Sequence, residues 1–173
     1  MKRNHGFTLI ELMITLMVMG VVIFIAVPNF ADLIRNNRIT TSSNELVIAM
    51  QIARSEAVKR SDEVSVCARA SNGSQSCSDD ADTWAQGWLV WHDANNNNSV
   101  DNGEVVRSWS PLSDDLQVDA GNASIAFDRQ GFSVGTGTSN YTLEPDGCPT
   151  GEDRMTVSVG PTGRPDSNRS QCS

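Results

Sequence analysis

The first pattern along the chain is an apolar run. Residues 7–27 read FTLIELMITLMVMGVVIFIAV, with Glu11 as the one charge. About 20 mostly apolar residues let a helix cross the hydrocarbon core of a bilayer. Lys2 and Arg3 precede the run and no basic cluster directly follows it. This asymmetry predicts a cytoplasmic N-terminus and export of what comes after. A cleaved signal peptide, the rival reading, has an apolar core of about 7–15 residues and a small-x-small cleavage site. The run here is longer and is followed by PNFADL, without such a site. A single membrane anchor over 7–27 is expected.

The period then changes. Leu46, Ala49, Met50, Ala53 and Ala57 recur at spacings of three and four, the stripe of a helix lying on a sheet. An amphipathic continuation of the helix is expected over 28–61. Pro28 removes one helix hydrogen bond and should kink the rod. The stretch NNRITTSSNE is a poor helix former, so a weak place is expected there. Beyond, short alternating runs bounded by Gly, Pro, Asn or Asp predict strands at 64–68, 87–91, 104–109, 124–127, 141–143 and 155–159. SNGSQSCSDDAD reads as a loop and TGRPDSNRSQCS as an extended tail. The fold class is α+β: a long N-terminal helix packed on a β-rich antiparallel head over 62–173, built as a small sandwich or paired sheets.

Composition fits an exported protein. All four cysteines, Cys67, Cys77, Cys148 and Cys172, follow the anchor, and an even count in an oxidising compartment reads as two disulfides. Three pairings are open; Cys67–Cys77 and Cys148–Cys172 are favoured because each closes a short loop. Zinc spacing is absent. The net charge is −8, and an acidic surface does not attract phosphate backbones over long range.

A carboxylate at membrane depth costs a few kcal/mol and calls for a partner. Glu11 is either solvated at the interface or paired with a cation at its own depth. Cleavage between Gly6 and Phe7 supplies one, the new α-amine of Phe7, which a neighbouring chain shifted along the helix axis offers to Glu11. The short basic leader followed by GFTLIEL resembles the class III signal of type IV pilins and type II secretion pseudopilins. The resemblance implies removal of leader residues 1–6 by an inner-membrane prepilin peptidase, N-methylation of Phe7, an assembly role for Glu11, and a kink at Pro28 at the membrane boundary. AQGWLVWHDANNNNSVDNGEVVRSW, IARSEAVKRSDEVSVC and VGPTGRP further resemble the GspH/FimT group of minor pilins and pseudopilins. That likeness implies a ladle-shaped, non-enzymatic filament subunit. It waits in the inner membrane as a single-pass protein with its head in the periplasm. It then joins other pilin or pseudopilin subunits in a type IV pilus, in the type II secretion pseudopilus as its H protein, or as a DNA receptor in transformation.

Other constellations were weighed for chemistry. Asp93, Asn95, Asn97, Asp101 and Glu104 match positions one, three, five, nine and twelve of a calcium-binding EF-hand loop. Asn98 stands where that loop has glycine, however, and strands flank it. A polar hairpin in which Asn and Asp cap backbone groups is the simpler expectation, with calcium as the alternative cofactor and otherwise none. His92, the one histidine after the leader, has no serine and carboxylate at suggestive spacing. Trp84, Trp88, Trp91 and Trp109 are expected to form a packed face. DNA-binding relatives resemble one another in a Gly-Arg-x-Arg motif. Here Gly163-Arg164-Pro165-Asp166 replaces the second arginine by an acid, leaving Arg154 and Arg169 as the other basic candidates. The acidic balance argues against DNA.

Overall fold

The computed structural model describes residues 8–173, and for 25–32 the backbone alone. The leader, the expected cleavage and methylation positions Gly6 and Phe7, and the side chain of Pro28 lie outside the described residues. The chain divides into two units, 1–37 and 38–173, with helix α1 running Leu9–Arg60.

In the first unit the helix starts on Thr8, whose hydroxyl accepts the backbone N–H of Glu11 at 3.3 Å. This satisfies one of the donors that every helix N-terminus leaves orphaned. All the large apolar residues from Leu9 to Phe24 are exposed, Leu9 at 77% and Phe24 at 84%. Among the described residues no helix is long and apolar enough to cross a membrane; the side chains of the last three residues of the expected 7–27 span are not among them.

The second unit holds the remainder of α1 and two four-stranded antiparallel sheets. Sheet one has the order β3-β2-β1-β5, built from β1 (Val64–Ala68), β2 (Trp88–Trp91), β3 (Val105–Ser108) and β5 (Ser124–Phe127). Sheet two has the order β4-β6-β7-β8, built from β4 (Leu116–Ala120), β6 (Ser139–Pro145), β7 (Asp153–Val159) and β8 (Pro165–Gln171). A 3-10 turn over Ala81–Gln86 precedes β2. The five residues of the expected stripe are fully buried, and Ile39 and Ser43 extend it towards the N-terminus. They share one core with Val64, Val66, Phe127, Leu143, Val157 and Val159 from both sheets.

Two expectations are corrected, and one strand is added. NNRITTSSNE is helical throughout. Low intrinsic propensity, a few tenths of a kcal/mol per residue, is outweighed by burial: Ile39 is 1% and Ser43 0% exposed. Arg38 also reaches Asp115 at 3.4 Å, and Thr40 receives a hydrogen bond from Arg169 at 3.1 Å. The expected tail is strand β8, paired with β7 over seven residues from Val159↔Pro165 to Asp153↔Gln171. Its sequence, PDSNRSQ, has no apolar alternation to announce a strand. Strand β4, LQVDA, was not expected either; it buries just Leu116 and Val118.

Candidate functional site

Glu11 stands one turn into the helix and is exposed. Thr8 and Glu11 form the T-x-x-E spacing of a capping box, a signal already in the sequence that explains locally why the helix begins where it does. Glu11 pairs with no cation among the described residues; its expected partner, the α-amine of Phe7, lies outside them.

Both disulfides are present. Cys67–Cys77 joins β1 to the loop after it, and Cys148–Cys172 joins the β6–β7 turn to the chain just beyond β8. The tryptophans divide between two faces. Trp84, Trp88 and Trp109 enter the main core, Trp88 stacking on Trp109 with centroids 6.2 Å apart. Trp91 packs on the opposite side with Leu89 and the Cys67–Cys77 disulfide. Residues 88 and 91 are an odd number apart, so a strand must point them to opposite faces. Trp84 Nε1 donates to the carbonyl of Asn122 at 2.8 Å. Tyr141 packs edge-on to Trp84 at 4.8 Å, and burial pushes its phenol well above the usual range.

The loop 93–104 is knitted by its own polar side chains. The Asp93 carboxylate accepts the backbone N–H groups of Asn97 and Asn98 at 3.1 and 2.8 Å. Asn95 and Asn97 accept those of Asn97 and Ser99, and both amides donate to one oxygen of Asp101 at 2.8 and 2.7 Å. These amides, Asn95 first, hold the Asp101 carboxyl below its ordinary value. Glu104 is nearly buried, and its two oxygens accept the N–H groups of Ala94 and Asp101, both at 2.9 Å. Asn98 adopts φ 60°, the left-handed conformation for which glycine is otherwise used and which asparagine tolerates. The backbone objection to an EF-hand-like loop is therefore met. The donor set is less suited to a cation, because the nitrogens of Asn95 and Asn97 face Asp101.

His92 Nε2 lies 2.9 Å from Asp62 Oδ2, tying the end of β2 to the second residue beyond α1. The hydrogen bond to His92 is the largest cause holding Asp62 below its ordinary value. No serine is bonded to His92 among the described residues.

The basic candidates do not form one patch. Arg154 lies 3.8 Å from Glu144 and donates to Ser170, while Arg169 lies 3.5 Å from Asp153. Arg164 precedes the other end of β8, five residues from Arg169, or about 16 Å along a strand. It lines a groove with Gln51, Arg54, Ser55, Val58 and Pro165. A second group, Glu144 with Cys148 and Cys172, has clustered ligand atoms, but its sulfurs are joined in a disulfide and offer no thiolate.

Comparison with known proteins agrees with this architecture. The family model for type II transport protein GspH matches residues 42–163, and that for the prokaryotic N-terminal methylation motif matches residues 1–27. No curated protein sequence matches the chain. The type IV minor pilin FimU of Pseudomonas aeruginosa (strain PAO1) shares the fold in one crystal form with TM-score 0.58 and 17% identity, over 78% of this chain and 90% of that one. In a second crystal form the TM-score is 0.55, again at 17% identity, over 75% and 91%. The minor pseudopilin EpsH of the type 2 secretion system of Vibrio cholerae has TM-score 0.53 and 10% identity, over 76% and 96%. With its family model spanning the head and a methylation motif at its N-terminus, the chain belongs to the GspH family of pilin-like proteins.

Proposed function

We propose that this chain is a minor pilin that primes or joins a type IV pilus, anchored in the inner membrane by residues 7–27 before assembly. The observation that carries this reading is the helix surface from Leu9 to Phe24. Its large apolar residues are all exposed, on a segment that bears the methylation motif. Such a surface is stable in lipid or against like helices. Repeated head-to-tail contact between staggered helices is heterologous and generates a helical filament. Prepilin peptidase cuts after Gly6, Phe7 is N-methylated, and its amine pairs with Glu11 of a neighbour. No enzymatic step is part of this reading. No cofactor is part of it either.

Two disulfides and an elaborate surface loop favour the pilus over the type II secretion pseudopilus. The second reading, the H pseudopilin, is supported by the family model and by the likeness to EpsH. Reception of DNA loses support because Arg154 and Arg169 are paired with carboxylates and stand away from Arg164. Deletion of the gene in its native host separates these readings. Loss of sheared pili and twitching with normal secretion fits the pilus subunit. Loss of secretion with normal pili overturns it in favour of the pseudopilin. Loss of DNA uptake alone overturns both.

A further inference from the structure

The groove of about 750 Å³ between α1 and the start of β8 carries two guanidinium groups, Arg54 and Arg164. Arg54 directs its Nε to the carbonyl of Gly131 at 3.0 Å. Among the described residues neither arginine has a carboxylate partner, as is also true of Arg69, Arg107 and Arg129, whereas Arg38, Lys59, Arg60, Arg154 and Arg169 each have one. In a chain of net charge −8, two such groups facing one groove form a local site of opposite sign. Guanidinium forks match carboxylates in shape as well as charge. Apolar surface adjoins them. Val58, in the groove wall, is 50% exposed. Arginine is over-represented among the residues that dominate binding at protein–protein interfaces. Duplex DNA presents a charge about every 1.7 Å and is held by a run of phosphate contacts, which two arginines in one short groove do not provide.

We propose that this groove docks an acidic, partly apolar segment of the neighbouring filament subunit, with Arg164 and Arg54 holding its carboxylate and Val58 its apolar side chain. The proposal rests on the filament-subunit reading. The test uses the full chain in its native host, with the photoreactive residue p-benzoylphenylalanine in place of Ser55. Irradiation is expected to link it to a different prepilin-type subunit, at a peptide containing Asp or Glu. Arg164→Glu should lower that yield about tenfold or more at unchanged membrane level, and Arg164→Lys should retain part of it. Among the described residues the Arg164 side chain makes no hydrogen bond or ion pair, so its replacement leaves the head intact, and formation of both disulfides checks this. The proposal is overturned if the product is insensitive to Arg164→Glu, if it is a second copy of this chain, or if no product forms while the unlabelled chain is present in filaments. It is also overturned if the solubilised full chain shifts a fluorescent DNA duplex in a gel and Arg164→Glu abolishes the shift. Absence of the unlabelled chain from both pili and pseudopili instead removes the filament reading itself.

Discussion

Replacing Cys148 and Cys172 together by alanine removes the bond that ties the end of β8 to the β6–β7 turn. Strand β8 is an edge strand with pairing on one side, and its residues are largely exposed, so it contributes little apolar burial of its own. The bond closes a separation of 24 residues, for which the loop-entropy relation gives about 3.4 kcal/mol at 25 °C. The same relation gives about 2.7 kcal/mol for the 10-residue separation of Cys67–Cys77. With a urea slope of about 2 kcal/mol/M, the first loss lowers the unfolding midpoint by roughly 1.5–2 M. The assay is urea unfolding of the full chain in detergent, followed by hydrogen exchange of the β8 amides, which should open before those of β6 and β7. A loss under about 1 kcal/mol, or unchanged β8 exchange, would refute the view that this bond rather than burial holds the strand.

Four further outcomes are expected. Glu11→Ala should stay in the membrane yet enter filaments about tenfold less or worse, read by immunoblot of the sheared fraction; normal incorporation would sink the pairing with Phe7. Gly163 has φ 70° and stands where a Cβ would meet the Gly131 carbonyl. Gly163→Ala should therefore cost about 2–4 kcal/mol, from left-handed strain and overpacking together, and an unchanged urea midpoint contradicts this. Calcium should leave the midpoint unmoved, whereas a bound ion at a hundredfold its Kd would raise stability by about 2.7 kcal/mol. Glu56, held down first by Lys59, Asp62 by His92 and Asp101 by Asn95 all have carboxyls below their ordinary values of 4.5, 3.8 and 3.8. Depressed carboxyls stabilise the fold above those values and stop doing so as the pH falls through their folded ones. The midpoint should thus be flat from neutral to about pH 5 and fall below about pH 4; a rise on acidification contradicts the pairings.

The parts of this fold legible in the sequence are those where burial writes a period. Leu46, Ala49, Met50, Ala53 and Ala57 mark the buried face of α1, and 64–68 and 124–127 are strands with the bounds that alternation predicts. Strand β8 was illegible because an edge strand of Pro, Asp, Ser, Asn, Arg and Gln is ordered by its ladder and a disulfide, neither of which has a periodic signature. Residues 36–45 misled in the opposite direction, since their weak propensity says nothing of the contacts Ile39 and Ser43 find in the core. At the functional end, the segment GFTLIEL was readable because it is a local motif. The Thr8 cap lies within it, and Thr-x-x-Glu is itself a helix-start signature. The groove of Arg54 and Arg164 joins residues 110 positions apart, a pairing that only the packed head reveals.

The central claim is that this chain becomes a processed filament subunit. Mass spectrometry of the sheared pilus fraction from the native host tests it most directly. The account predicts an N-terminal peptide that begins at Phe7 and carries one added methyl group. A chain absent from the filament fraction, or one whose N-terminus lies beyond Val27, would contradict it.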